Sequence, residues 1–498
     1  MSAARPSAPA AAPAPEPAAP AAAPVLAPAA QAPVAAPPDT PTQAAFLAEV
    51  AARLPDLRLV TETIDRESYR HDETAYLRPG LPLAVALPTT TSEVSELMRL
   101  ATAHRVAVVP RGAGTGLSGG AAGVEGALTI AFTRMDRLIE IDHADLVAVV
   151  QPGIINATFK AAVAAEGLFY PPDPASYETC SIGGNLGTNA GGLCCVKYGQ
   201  TRDSVLGLEV VMADGTVIRT GGRNVKDVAG YALNHLFVGS QGTLGLITEA
   251  TLRLRPAPPR SLTLLAFFPT LESAGAAVAA LAAAGVQPVT LELMDRFTIE
   301  AVEDWHHLGL DRDAAAMLLI ETDLPTTAAS AELDRATTVC EAAGATSVIR
   351  AADAQEADWL RQARRLALRA LERLGEVRME DIGVPRGRVT ELLLAIAGIG
   401  QRRGVRIATF GHVGDGNLHP NLVFERGDPR AEELTEATRA DLFEAALALG
   451  GTITAEHGIG SSRRASLVDQ VGPDVLRVMT AIKTALDPLG ILNPGKVL

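Results

Sequence analysis

The 498-residue chain is poor in cysteine, in positive charge and in long apolar runs, and each shortage excludes a class of protein. Its four cysteines, Cys180, Cys194, Cys195 and Cys340, form no C-x-x-C or ferredoxin-like spacing. No iron-sulfur cluster is therefore expected within the chain, and any electrons it collects must leave through another carrier. The adjacent pair Cys194-Cys195 reads as small buried filler, and the pattern suits a reducing, cytoplasmic compartment. Lys and Arg number 43 against 57 Asp and Glu, a net charge of −14, and nothing resembles the basic stripe of a nucleic-acid-binding protein. A locally cationic pocket for a small anion is still compatible with that balance. No uninterrupted apolar segment is long enough to span a bilayer, the alanine-rich stretch Ser273 to Gly285 being too short. Peripheral association at the inner face of a membrane is the membrane role left open.

Residues 1–42 are almost all alanine and proline with a single Arg5. They lack a basic region followed by an apolar run, so they read as a disordered or polyproline-rich tail and not as a signal peptide. The remainder, in a chain that is 48% hydrophobic and 20% charged, describes a globular protein, and its length makes two domains the natural division.

What is abundant is glycine, in three dense segments between Arg111 and Glu249. An opening helix is expected from Gln43 to Arg53 and a strand from Leu83 to Leu87. Thr90 and Glu93 then form a capping box for a helix ending at His104, and a strand from Val106 to Pro110 leads into RGAGTGLSGGAAG, Arg111 to Gly123. Such a loop lets backbone N–H groups approach phosphate oxygens closely. Gly114, Gly116 and Gly119 satisfy G-x-G-x-x-G, yet the loop runs on into another strand, Ala127 to Phe132, instead of opening a helix. It therefore predicts a phosphate cradle that is not a Rossmann turn. The second segment, Pro171 to Gly199, places Ser181, Thr188 and Asn189 among glycines. A hairpin follows, Leu206 to Met212 and Val217 to Thr220, turning at Asp214-Gly215. The third segment puts Gly239, Gly242 and Gly245 before a strand closing at Pro256.

Near the other end, FGHVGDGNLHPN sets His412 and His419 seven positions apart around Gly414-Asp415-Gly416. An odd separation on a straight strand would send the rings to opposite faces, so the glycine-rich bend is what would let them converge. TAEHGIG adds Glu456 and His457 in tight backbone. Two imidazoles and a carboxylate form a ligand set for a catalytic divalent metal with a position left open. The alternative is that these are unrelated loop histidines; two such segments holding three of the nine histidines favour a site.

Together PRGAGTGLSGG, PPDPASYETCSIGGNLGTNAGG, KDVAGYALNHLFVGSQGTLGLITEATLRL, FGHVGDGNLHPN, EHGIG and LDPLGILNPGKVL resemble the FAD-linked 2-hydroxy-acid dehydrogenases of the vanillyl-alcohol-oxidase, or PCMH-type, flavoprotein superfamily, on the branch that holds D-lactate dehydrogenase and the catalytic polypeptide of glycolate oxidase. The resemblance covers about Leu57 to Leu498. It implies an α+β fold: a two-subdomain PCMH-type FAD-binding domain over 43–257, an α+β cap domain carrying substrate and metal over 258–480, and a C-terminal helical segment, 481–498, returning to the flavin. In the cap, strands Leu262 to Phe268, Val289 to Met294, Ala315 to Glu321 and Thr346 to Arg350 alternate with helices Ser273 to Ala284 and Ala328 to Ala343, which suits an antiparallel sheet covered on one face.

Carried onto this chain, the resemblance assigns the FAD contacts to Pro110, Arg111, Gly112, Ala113, Gly114, Thr115, Gly116, Ser118 and Gly119 in the first loop. To these it adds Pro172, Ser176, Ser181, Gly184, Asn185, Thr188 and Gly192, then Gly242, Ile247 and Asn493. Covalently flavinylated relatives carry a histidine where this chain has Thr115, so non-covalent FAD is expected.

The chemistry implied is removal of the hydroxyl proton of a 2-hydroxy acid and transfer of its α-hydrogen to flavin. His412, His419 and Glu456 would hold a divalent ion, zinc fitting best with iron and manganese behind, and His457 would be the general base. Within WLRQARR, Arg364 matches the family's carboxylate-binding arginine, while Arg361 and Arg365 read as solvated; that all three are surface charge is an equally open alternative. Asn421 is the further substrate contact. D-2-hydroxyglutarate dehydrogenases carry a lysine two residues before the aspartate of a D-x-x-x-P strand; here Asp381 and Pro385 match and Met379 stands at the lysine position. That favours glycolate or D-lactate over 2-hydroxyglutarate, with a catalytically silent flavin-binding subunit as the non-enzymatic rival. Iron-sulfur and second flavin subunits, or another acceptor, are the implied electron partners, and homodimerisation is left open.

Overall fold

The computed structural model describes residues 39–74 and 76–498. The tail expected over 1–42 lies outside the described residues up to residue 38, while 40–42 already belong to the helix Thr40–Arg53, whose N-cap Asp39 accepts from the Thr42 amide.

The first unit is a four-stranded sheet in the order Arg58–Val60, Ala84–Leu87, Leu128–Ala131, Val108–Arg111, the first pair antiparallel and the others parallel. Thr90 and Glu93 form the capping box of helix Thr91–His104: Glu93 N donates to Thr90 Oγ1 at 3.2 Å and Thr90 N to Glu93 Oε2 at 3.1 Å. Val94, Leu97, Met98 and Ala101 of that helix join Val108, Leu128 and Ile130 in one core. Between Arg111 and Leu128 the chain forms no helix, as the Rossmann exclusion requires. A second, antiparallel sheet orders Leu138–Asp142, Val147–Val150, Leu246–Arg253, Val205–Val211 and Val217–Gly221.

The cap is built on an eight-stranded sheet running Ser347–Arg350, Leu262–Phe268, Ala316–Thr322, Thr290–Asp295, Arg406–Gly411, Asn417–Phe424, Glu376–Met379, with Ile382–Gly383 paired on Asn417–Phe424. It is covered on both faces, not on one. Leu264, Ala266 and Phe268 pack with helices Leu271–Ala283, Thr326–Ala342, Val389–Arg403 and Ala431–Ala448. Leu265 and Phe267 pack with Arg296–His306 and Ala354–Leu374. The physical reason is in the strand itself: LTLLAFF has almost no polar residue to give to water on either side.

The chain then returns. Helix Leu467–Leu486 runs through residues 480 and 481, broken at Gly472 before Pro473, and Ile482 and Leu486 pack on the core of the second sheet. Ile491 and Leu492 are fully buried in the core of the first sheet, with Val108 N donating to Ile491 O and Asn493 N to Val108 O, each at 2.8 Å. Buried Lys483 locks this return by donating to the carbonyls of Thr243 and Leu492, each at 2.8 Å, and to the Asp487 carboxylate. Asp487 in turn accepts from the Ile491 and Leu492 amides. Among the described residues no helix is long and apolar enough to cross a membrane.

Removing one member of a buried ion pair leaves the other charge uncompensated, at about 3–5 kcal/mol. Asp487→Ala is expected to cost that much in urea unfolding, against less than about 0.5 kcal/mol for a surface change such as Asp474→Ala.

Candidate active site

The three glycine-dense segments meet around a cavity of about 490 Å³. Every residue from Pro110 to Ser118 lines it, as do Ser176, Gly184, Asn185, Thr188, Gly242 and Ile247. Among the described residues, no backbone N–H from Gly112 to Ser118 donates to a protein acceptor, so the loop presents a row of free donors suited to a pyrophosphate. Gly114 has φ +82°, and a Cβ there would stand 2.2 Å from the Arg111 guanidinium. The other five expected positions brace this wall or line the space beside it. Gly119 donates its amide to Thr74 Oγ1; Ser181 caps a helix by accepting from Gly184 N; the Pro172 carbonyl accepts from Lys160 and Asn156. Gly192 lines an adjacent cavity, and Asn493 Nδ2 donates to the Gly120 and Gln241 carbonyls. Sequence reasoning missed Gln241: its Nε2 donates to Ser118 Oγ and its Oε1 accepts from Gly460 N, tying the first loop to the backbone just after His457.

On the cap side the wall is completed by Arg365, Leu368, Arg369, Glu372, Glu456 and His457. Arg365 is exposed, as expected, at the rim of the cavity over the Tyr177 ring, whereas Arg361 is half-buried and lies 3.3 Å from buried Glu321 instead of standing free in solvent.

His412 follows one strand of a hairpin and His419 lies in the next, with the bend at Asp415-Gly416 bringing the ring centroids to 5.3 Å. Glu456 Oε1 is 3.3 Å from His412 Nε2 and 3.3 Å from His419 Nε2. Ligands bound tetrahedrally at about 2.0–2.1 Å stand roughly 3.3 Å from one another, so this spacing fits one small cation. His457 stacks on His419 at 5.1 Å, its Nε2 3.7 Å from Glu456 Oε1.

Two buried carboxylates hold these groups: Asp381, known from the sequence only as the aspartate of the D-x-x-x-P pattern, and Glu292, which the sequence did not single out. Asp381 Oδ2 accepts from Thr454 Oγ1 at 2.7 Å and from the amides of Ala455, Glu456 and His457 at 2.8, 2.9 and 2.9 Å. The turn is therefore tight enough for adjacent residues to face one cluster. Glu292 Oε1 is 2.6 Å from His412 Nδ1, and its Oε2 is 2.7 Å from Arg364 Nε. Arg364 is 6% exposed, over the Phe410 ring. Asn421 is fully buried, its Nδ2 donating to the Ala408 and His419 carbonyls while Oδ1 has no protein partner.

Burial pushes the His412 imidazole down, but Glu292 and Glu456 carry it well above the ordinary histidine range. Burial pushes Glu456 up, and His412 and His419 hold it far below the usual carboxylate range. Burial lowers His457 to about 4, so it is neutral at neutral pH. Burial raises Asp381, yet His457, His419 and Arg463 hold it at about 2.

With this geometry in hand, the comparisons define the class. Residues 257–497 match the model described as FAD linked oxidases, C-terminal domain, and residues 82–221 the FAD binding domain. The chain is 44% identical over 430 residues to glycolate oxidase subunit GlcD of Bacillus subtilis (strain 168), covering 86% of this chain and 91% of the relative. To the subunit of the same name in Escherichia coli (strain K12) it is 39% identical over 83% of each chain. A D-lactate dehydrogenase of Archaeoglobus fulgidus is 36% identical, over 86% and 95%. The fold is shared with p-cresol methylhydroxylase, TM-score 0.79 at 17% identity over 92% and 97%, and with alkyldihydroxyacetonephosphate synthase, 0.71 at 19% over 94% and 87%. This chain belongs to the FAD-linked oxidases and its cofactor is FAD. Within them it is an oxidoreductase of the group that holds glycolate oxidase subunit GlcD and the D-lactate dehydrogenases.

A Cβ on Gly191 would stand 2.2 Å from Glu456 Oε2. Gly191→Ala is expected to retain FAD while weakening divalent-ion affinity by at least about tenfold, read by chelator competition on the flavin-loaded protein. Because a metal takes only the neutral imidazole, loading a site whose His412 is held in the charged form must release protons. Zn²⁺ uptake is expected to acidify a weakly buffered solution, and the affinity to fall as pH is lowered.

Proposed function

We propose that this enzyme oxidises a small 2-hydroxy acid, glycolate or D-lactate, to the 2-oxo acid. The observation that carries the reading is that His457, neutral and on the wall of the flavin cavity, adjoins a cluster of two histidines and one carboxylate at cation-binding spacing. Bound non-covalently, FAD supplies the acceptor for the α-hydrogen and two electrons. A divalent ion, zinc by its nitrogen and oxygen donors, would be held by His412, His419 and Glu456 and would supply Lewis acidity toward the hydroxyl oxygen.

The chain's own residues do the rest. His457 takes the hydroxyl proton: burial keeps the ring neutral, with a nitrogen free to accept. Arg364 holds the substrate carboxylate, oriented by Phe410 beneath it and Glu292 beside it. Asn421, anchored through Nδ2, offers Oδ1 toward the acid. Met379 packs with the apolar core on that face of the cap and offers no charge to a second carboxylate, which supports monocarboxylates over 2-hydroxyglutarate.

The domain reading is proposed with it: flavin binding over 43–257, a cap over 258–480 and a returning segment over 481–498. That two relatives are named as subunits of an oxidase supports a complex, with iron-sulfur and second flavin subunits as the proposed electron partners of a chain whose four cysteines have no cluster spacing.

The test is the visible spectrum of the flavin-loaded protein under anaerobic conditions, before and after adding glycolate, D-lactate, L-lactate or D-2-hydroxyglutarate. Bleaching by glycolate or D-lactate, abolished by prior chelation and restored by the ion, is expected. A flavin that none of the four reduces in metal-loaded protein would overturn the reading.

A further inference from the structure

Glu292 lies on the strand Thr290–Asp295, between the two sites that a 2-hydroxy acid would bridge, and is 1% exposed. One oxygen is 2.6 Å from His412 Nδ1, and the other is 2.7 Å from Arg364 Nε. A carboxylate can only accept, so His412 Nδ1 carries a proton toward Glu292, and Nε2, which faces Glu456, is the nitrogen that would give up its proton to take a cation. On the other side, the Arg364 N–H is not aligned on Glu292 Oε2, and both atoms retain hydrogen-bonding capacity. The contact is one of charge, still able to tighten. It fixes the guanidinium by its inner nitrogen, and the terminal nitrogens donate to no protein acceptor among the described residues.

Resting on the proposed reading of the site, we infer that Glu292 is a positioning residue that couples the cation site to the carboxylate site, so that filling either one strengthens binding at the other. A cation on His412 Nε2 draws electron density from the ring and makes Nδ1–H a stronger donor to Glu292. The same carboxylate, pulled by both partners, holds Arg364 in place for the acid. An anion on Arg364 in turn fixes the guanidinium that Glu292 faces, and linkage requires the two effects to be equal. Whichever of the two sites is filled, the other would then be already set.

The probe for the arginine is propionate, a carboxylate with no hydroxyl to complete a chelate on a metal, followed through its perturbation of the flavin spectrum. Its affinity is measured on flavin-loaded protein with and without Mn²⁺, and Mn²⁺ affinity with and without propionate. In the wild-type protein the two ratios should agree, at about tenfold. In Glu292→Gln the amide oxygen still accepts from His412, but its NH₂ faces the Arg364 donor. Mn²⁺ binding should then weaken by roughly tenfold or less, propionate binding should weaken more, and the ratio should fall to about one. Glu292→Leu should lose both sites. Flavin content and the urea midpoint identify any variant that has merely failed to fold, and Arg364→Lys, which leaves Glu292 its charge partner, is the second variant and should keep a ratio above one. A Glu292→Gln protein with full flavin and an unchanged ratio would sink the coupling while leaving the proposed reaction standing. A wild-type protein that takes up no Mn²⁺ or Zn²⁺ would remove the reading on which the coupling rests, and the coupling with it.

Discussion

Four hydrogen bonds to one oxygen of Asp381 hold the catalytic corner together. Three consecutive amides, Ala455, Glu456 and His457, cannot all find backbone partners in a turn this tight, and buried without partners each would cost about 1–3 kcal/mol. A carboxylate satisfies all three at once and adds the Thr454 hydroxyl. The backbone is thereby curled so that the proposed ligand and the proposed base, neighbours in sequence, both reach the same cluster. Oδ1 of the same residue lies 3.7 Å from His419 Nδ1, so one side chain influences three of the four groups around the cation position.

Charge in this region is compensated in layers. Beside Asp381, the fully buried Glu380 is paired with Arg439 Nε at 2.8 Å and lies 3.5 Å from Arg463, itself 1% exposed. Glu292 and Arg364 repeat the arrangement across the hairpin. Such pairs add little net stability, but removing one partner is costly. They hold the ring of residues around the cluster in one arrangement, which is what a site needing sub-ångström placement requires.

Much of this was legible before folding. Thr90 and Glu93 announced a helix that runs to His104, and LTLLAFF forms a strand over the expected residues, Leu262–Phe268. His412, His419, Glu456 and His457 could be picked out by their glycine-rich settings because a bend is a local property of the chain. Glu292 could not, and Asp381 stood out only as part of a D-x-x-x-P pattern, with no sign of the turn it holds. Glu292 acts on His412, 120 residues away, and Asp381 on Glu456, 75 residues away, and within LELMD or MEDIG an acidic residue gives no local sign of what it faces. The covering of the second face of the cap was missed for a related reason. The helices Arg296–His306 and Ala354–Leu374 lie far apart in sequence and pack against one another only once both are laid on that face. Gly119, Ser181 and Asn493 show the converse: their places in a motif were visible, but whether each touches ligand or braces the loop that does is decided by tertiary packing.

The return of the chain end sets an order for biosynthesis. Ile491 and Leu492 fill the core between the first sheet and its helix, and Asn493 anchors the first glycine loop from 373 residues away. On the ribosome the flavin-binding half emerges early but lacks these side chains until residues 491–493 have been made. Its nascent form must wait, with apolar surface uncovered, while the cap is translated and folds as an insert. The finished cradle for FAD is thus a late product of translation. A chain cut short inside the cap would lack Ile491, Leu492 and Asn493 and so leave that core and that loop unfilled.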